Sequence, residues 1–481
     1  MINKETLEKK SDYLWEIPKR TREDMRVPAW VFASEKLLGL VFRDRSLQQL
    51  MNVSTLPGVM TRVVVMPDVH EGYGFPIGAV AATDLKDGVI SPGGIGYDIN
   101  CGIRLLKTQY NHSEIKDKIK DISAEINRQV PSGVGKGGKI KLGFDELDNV
   151  LNKGCKWAVG KGFAREQDLR FIESNGALES ADAKAVSPRA KERGKNQLGT
   201  MGAGNHFVEV DVIDAIFDEK TANAYGLSAG QIVIQIHTGS RGLGHQVATD
   251  HIKKMVGSLK SFGYELPDRE LACSPISSPV GEEYFAAMSA AANYAWTNRQ
   301  LITHQVRNAW ENVFGKQGGH VDILYDVAHN IAKIEEHTID GEKRRVMVHR
   351  KGSTRAFPAG HPEVTPEYRH VGQPVLIPGS MGTASYVLAG QEKNMEQSFG
   401  STCHGSGRTM SRTAARKKIF GKELFAKMKD MGISVQAGSM RGLAEEAPDA
   451  YKDVESVVDV VHNAGIARKV VRLKPLAVIK G

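Results

Sequence analysis

QIVIQIHTGSRGLGH, residues 231–245, reads as a short apolar strand that ends on His237 and breaks into a glycine loop. TRVVVMP (61–67) and RRVMVHR (344–350) are runs of the same kind. Between such runs lie stretches with helical character, at 112–129, 283–312 and 451–465. Strands and helices alternate without a regular βαβ cadence, so the pattern predicts an α+β fold rather than a doubly wound α/β sheet. No stretch reads as an interdomain hinge, no repeat occurs, and residues 1–481 are taken as one large domain.

Working outward, the same stretch carries chemistry. His237 sits at a strand end, where sites gather, and Arg241 follows among glycines, suited to a phosphate. His245 reads as structural. Three further segments share the arrangement. GGIGYDINCGIR (93–104) sets Asp98 three residues before Cys101, GTMGAGNHFVEV (199–210) brings Asn205 and His206 into a strand, and DILYDVAHNIAKIEEH (322–337) places His329 and Asn330 after an apolar run. Each histidine alone is more often structural than a ligand. Together, one Asp, one Cys and three His would suffice for two metal ions sharing a thiolate, and ligand softness points to zinc, iron or cobalt.

TCHGSGR (402–408) puts His404 in a glycine loop, with a helix-forming stretch from Arg412 to Asp430 behind it. A glycine loop entering a helix offers free N–H groups to an anion. The segment reads either as a phosphate seat with a reactive histidine or as a tight turn. VLIPGSMGTASYVL (375–388) fits nucleotide binding or an ordinary turn. No GxxxxGK[ST] loop and no K-x-D-G occurs, so neither common nucleotide solution is in use.

Composition narrows the setting. Lys plus Arg number 64 against 56 Asp plus Glu, a net charge of +8, which suits an anionic partner such as nucleic acid. The four cysteines have no metal-knuckle spacing and are too few for a disulfide framework, so a reducing cytoplasm is expected. MINKETLEKKSDYLWEI lacks the apolar core of a signal peptide, and no run reaches membrane-spanning length.

Taken in order, GYDINCG, GAGNHFVEV, HTGSRGLGH, AHN, PGSMGTASY and CHGSGR resemble the RtcB family of RNA ligases, and MPDVHEGYGFPIG (66–78) and STRAFPAGHPEVTPEY (353–368) extend the resemblance. The resemblance runs from about Val64 to the chain end. It implies the family's own α+β fold around a dinuclear metal and nucleotide cleft. It implies joining of an RNA 3′-phosphate or 2′,3′-cyclic phosphate to a 5′-hydroxyl, with GTP and two manganese ions. His404 would be the nucleophile that becomes guanylated. Asp98, Cys101 and His206 would hold one metal; Cys101, His237 and His329 the other. Nucleotide contacts would fall on Asn205, His206, Phe207, Val208, Glu209, Arg241, His329, Asn330, Pro378, Gly379, Ser380, Met381, Ser385, His404, Gly405, Ser406 and Gly407. Lys480 would meet the guanine and Tyr451, in a downstream helix, would cover it. Read without the resemblance, Lys480 is a frayed terminal charge. Manganese conflicts with the softness of the Cys/His set, and oxygen atoms of GTP and RNA phosphates would have to make up the difference.

The resemblance also implies partners: cleaved tRNA halves or broken RNA ends, an activating protein of the archease type, and a monomeric enzyme. The basic loop SPRAKERGK (187–195) and the run Arg408, Arg412, Arg416 are candidate RNA seats or merely solvated basic faces. Two rivals stand beside the ligase. A dinuclear phosphoesterase would use the same metal set but give His404 and Lys480 no task; a non-catalytic RNA-binding protein would need the basic patches alone. Asp68, His70, His361 and His370 receive no role.

Overall fold

The computed structural model describes residues 2–133 and 135–481. Its strands form two large sheets. The first runs in the order Asp322–Ala328, Gly102–Asn111, Gln231–Thr238, Phe207–Ile216, Ala467–Lys480, Ser385–Gly390, Pro374–Ile377, each antiparallel to its neighbour. Ser434–Ala437 adds on parallel to Ala467–Lys480. The second, of seven strands, is built from Glu8–Lys9, Leu14–Ile17, Ala29–Phe32, Val59–His70, Ile77–Asp84, Glu342–Lys351 and Asn330–Ile339. Antiparallel neighbours and mixed order agree with the α+β expectation.

The first sheet is buried on both faces. In Phe207–Ile216, Val208 and Val210 point into the large core beneath the long helix, while Phe207 and Ile213 pack in a separate cluster on the opposite face, as the period-2 alternation of a strand requires. The long helix, Pro279–Phe314, has 36 residues, a span of about 54 Å at 1.5 Å per residue. Ser278 caps it by accepting from Gly281 N, and Pro279 takes the first-turn position that needs no donor.

This helix carries polar side chains into the interior. Arg299, fully buried, donates to Asn100 O at 2.7 Å, to Thr238 O at 2.8 Å and to both oxygens of Asp326. Asn298 accepts from Gly199 N and Thr200 N and donates to Thr200 O and Gly239 O. One face of one helix thus pins the chain beside Cys101, His237 and His329. Arg104 shares Asp326 at 2.8 Å, and all three side chains are sealed from water. Asp326→Ala would leave two buried guanidinium groups without their carboxylate. A loss of about 3–5 kcal/mol is expected, read as a lower denaturant midpoint; an unchanged midpoint would refute the clamp.

Local structure departs from the sequence reading in four places. The stretch 187–195 is a helix, Pro188–Gly194, because Ser187 caps it and proline sits at its first turn. Arg241 opens the helix Arg241–Ser258 instead of lying in a loop. The stretch 412–430 is two helices, Arg412–Lys418 and Gly421–Asp430. Phe420 is extended between them, and the carbonyl of Met440 passes so close to Gly421 that no side chain fits there. Tyr451 precedes the helix Val454–Asn463, which starts only where Asp453 caps it. Among the described residues no helix is long and apolar enough to cross a membrane.

Candidate active site

Strand register assembles the site. Gly102 pairs with Thr238 and with Ala328, Phe207 pairs with His237, and Lys480 pairs with Phe207. Cys101, His206, His237, His329 and Lys480 therefore emerge at one end of the same sheet, although they span most of the chain. His329 N donates to Cys101 O and Asn100 N to Asn330 O, which locks the GYDINCG turn onto the start of the next strand. Asn100 adopts φ 52°, a left-handed turn that asparagine tolerates.

Two donor trios result, Asp98–Cys101–His206 and Cys101–His237–His329, the ligating atoms in each within 4.8 Å of one another. Cys101 Sγ stands 3.4 Å from His206 Nε2 and 3.3 Å from His237 Nε2. His206 Nδ1 lies 3.1 Å from Met201 O and its Nε2 lies 2.9 Å from Asp98 Oδ2. Nitrogen, oxygen and sulfur atoms able to ligate thus converge on one place. The donor set fits metal binding, with Cys101 shared. Gly239 lies against Asp98 so closely that a side chain there would collide with the carboxylate.

Charge agrees with that geometry. Burial drives the His237 and His329 imidazoles well below the ordinary range, keeping them neutral and able to ligate. Burial pushes the Asp98 carboxyl up, but His206 and the Cys101 thiol outweigh it and hold the group at about 2. Burial and the neighbouring Asp98 raise the Cys101 thiol well above its usual value, so a metal must displace its proton. Because both trios share Cys101, Cys101→Ala is expected to weaken both sites together, by more than the roughly 10–100-fold that loss of an outer-shell partner costs. His237→Ala should weaken one. Metal titration followed by native mass spectrometry separates the two patterns; one intact site in Cys101→Ala would show that the thiol is not shared.

His404 faces this centre, its ring 4.9 Å from that of His329. Asp68, fully buried at the end of the apolar run in Val59–His70, accepts from His404 N at 3.0 Å and from Gly405 N at 3.3 Å with one oxygen. The same oxygen lies 2.6 Å from His404 Nδ1. Burial pushes the Asp68 carboxyl up, but His404 and these hydrogen bonds outweigh it and keep the group below the ordinary carboxylate range. The ionised carboxylate fixes Nδ1 as the protonated nitrogen and leaves the Nε2 lone pair free. Lys452 Nζ donates to the carbonyls of Pro67 and Val69 and so holds the peptide on either side of Asp68. Gly407, at φ 73°, lies against Asp68 O where no side chain fits.

The two centres open into one cavity of about 790 Å³. Its wall includes most of the predicted nucleotide residues: Asn205, Phe207, Glu209, His329, Asn330, Pro378 to Met381, His404 to Gly407, Tyr451 and Lys480. Four others stand back, among them His206, which belongs to the Asp98–Cys101–His206 trio. Val208 points into the core beneath the long helix. Ser385 is behind the wall, its hydroxyl accepting from Gly379 N at 2.9 Å and shaping the PGSMG loop. Arg241 backs His206, 3.4 Å from its Nδ1. Lys480 is buried and paired into the sheet, because the last strand runs through it, and burial lowers its pKa. Tyr451 donates to Glu446 and accepts from Arg408 Nη1 at 2.8 Å. His361 packs on Phe357 and His370 is exposed, neither on the cavity wall. Lys452, Glu446 and Arg299 are absent from the sequence reading, and Asp68 is named there without a role, although a carboxylate closing a buried strand is a signal.

The family described as tRNA-splicing ligase RtcB matches this chain over residues 49–481. A tRNA-splicing ligase RtcB of Thermococcus kodakarensis is 54% identical over 469 residues, covering 97% of each chain. Those of Archaeoglobus fulgidus and Methanococcus maripaludis are 52% and 49% identical, covering 99% of this chain and 99% and 100% of their own.

Proposed function

The chain belongs to the RtcB family of tRNA-splicing ligases and is an RNA ligase, and we propose that it joins RNA 2′,3′-cyclic phosphate or 3′-phosphate ends to 5′-hydroxyl ends with GTP and manganese, through a guanylated His404. Residues 1–481 act as one catalytic unit on cleaved tRNA halves and other broken RNA ends, as a monomer in the cytoplasm, helped by an archease-type protein. The observation that carries this reading is the Asp68–His404 pair, in which a buried carboxylate engages Nδ1 of a ring that lines a cavity beside the shared-thiol donor set. A phosphoesterase would have no use for that pair or for the buried Lys480.

Asp98, Cys101, His206, His237 and His329 would hold the metals, which when bound neutralise phosphate charge. His404 Nε2 attacks the α-phosphorus of GTP. An N–P bond forms, the bond to the β-phosphate oxygen breaks, and pyrophosphate leaves. The ring, now carrying phosphorus on Nε2 and hydrogen on Nδ1, is cationic, and the Asp68 carboxylate stabilises it. A cyclic end is first opened by water to a 3′-phosphate. An oxygen of that phosphate attacks the guanylate phosphorus, the N–P bond breaks, and neutral His404 returns. The 5′-hydroxyl then attacks the activated 3′-phosphorus, loses its proton to solvent, and GMP departs. Glu209 and Lys480 would grip the guanine edge, and the Pro378–Met381 loop and Tyr451, also on the cavity wall, would enclose the nucleotide.

The reading is tested with GTP labelled at the α-phosphate and manganese. Acid-labile label should appear on the peptide containing residues 402–408, and ATP should give none. Label on another peptide, or none from protein shown to hold metal, would refute the guanylated-histidine route.

A further inference from the structure

Part of the cavity wall is formed by residues outside the expected nucleotide contacts. Tyr73 and Tyr97, from the HEGYGFPIG and GGIGYDINCG motifs, both present partly exposed rings to it. The rings meet edge to face with centroids 5.4 Å apart, and Tyr97 stacks on His245 at 4.8 Å, so the shelf is held from behind. Lys351 braces it by donating to the carbonyls of Tyr73 and Phe75. The nearby carboxylates are engaged: Glu71 pairs with Arg45 at 2.6 Å, and Asp44 accepts from Ser46 N and Glu71 N. At about 790 Å³ the cavity lies toward the upper end of the roughly 300–1,000 Å³ of ligand sites. Aromatic faces in a channel for single-stranded nucleic acid take bases of any identity.

We propose that Tyr73 and Tyr97 seat the terminal nucleoside of the RNA 3′-phosphate strand by stacking. This rests on the ligase reading above and assigns the site's second substrate. Tyr97 directly precedes Asp98, so a base on the rings lies beside the donor set facing the reacting phosphates. The 3′-phosphate strand is the first RNA that the guanylated enzyme must receive. The rings act by positioning: they hold an RNA end and leave the nucleophile to His404 and Asp68.

The test uses Tyr73→Leu and Tyr97→Leu, with Tyr73→Phe and Tyr97→Phe as conservative partners. Three steps are timed separately: guanylation of the protein, transfer of GMP to a 3′-phosphate oligonucleotide, and sealing of a pre-activated RNA to a 5′-hydroxyl strand. In the leucine variants the KM for the 3′-phosphate strand in the transfer step should rise about 10-fold relative to any change in guanylation, and phenylalanine should restore it. No rise in either leucine variant overturns the proposal. A parallel fall in guanylation places the rings in the GTP half or in the fold, and a rise confined to sealing gives the shelf to the 5′-hydroxyl strand; both overturn it. If the wild-type protein forms no guanylated histidine, the parent reading fails instead. The proposal is then decided by fluorescence anisotropy with the 3′-phosphate oligonucleotide, whose affinity should still drop in the leucine variants and recover in the phenylalanine ones; equal affinity would overturn it.

Discussion

His404→Ala is expected to abolish labelling of the protein by α-labelled GTP and to slow RNA joining by on the order of 10⁴-fold or more. The expectation follows from position. His404 presents Nε2 to the cavity with its other nitrogen committed to Asp68. Few competing nucleophiles share the wall. Cys101 is held as a thiol by burial and by Asp98 unless metal displaces its proton. Burial lowers the pKa of both lysines on the wall, Lys480 and Lys351, the latter to about 7, so a lysine adduct is the nearest competitor. The assay is a denaturing gel after acid and base treatment, alongside a ligation time course. Label that persists in His404→Ala would move the nucleophile to a lysine and end the histidine assignment.

Asp68→Asn should come close to the same loss, about 10³–10⁴-fold in the guanylation rate, with GTP affinity nearly unchanged. The carboxylate oxygen accepts from His404 N, Gly405 N and His404 Nδ1 together. An amide keeps the shape but loses the charge, and its NH₂ can donate to Nδ1. That moves the ring proton to Nε2, where it blocks attack. It also removes the counter-charge for the cationic adduct. Single-turnover kinetics with saturating GTP separate the two parameters. A rise in KM with an unchanged rate would mean that Asp68 only braces the loop.

Much of the site could be read from the chain because its parts are local. A metal-capable residue at a strand end, or a glycine where the backbone must turn, is written into a few neighbouring letters. Hence His206, His237, His329 and the Asp98–Cys101 turn stood out, as did His404. The helix at Pro188–Gly194 was equally local and was missed, although Ser187 and Pro188 are a helix start signal. The break at Phe420 was not local: Met440, some twenty residues on, crowds Gly421. Tyr451 was assigned to a helix whose true start depends on the Asp453 cap. Val208 follows the alternation of its strand into the core, so its place was legible too.

By itself the sequence determined which residues can ligate, attack or turn, because those capacities belong to side chains and short backbone segments. It also carried the resemblance that relatives about half identical bear out. The tertiary structure alone decided that they meet. Strand register brings residues 101, 206, 237, 329 and 480 to one sheet end, and Arg299 from the long helix ties down the chain beside three of them. Asp68 reaches His404 across 336 residues and so selects which nitrogen of the ring is free. Such contacts depend on how sheet and helix pack, and packing is set by the whole buried surface rather than by neighbours in the chain.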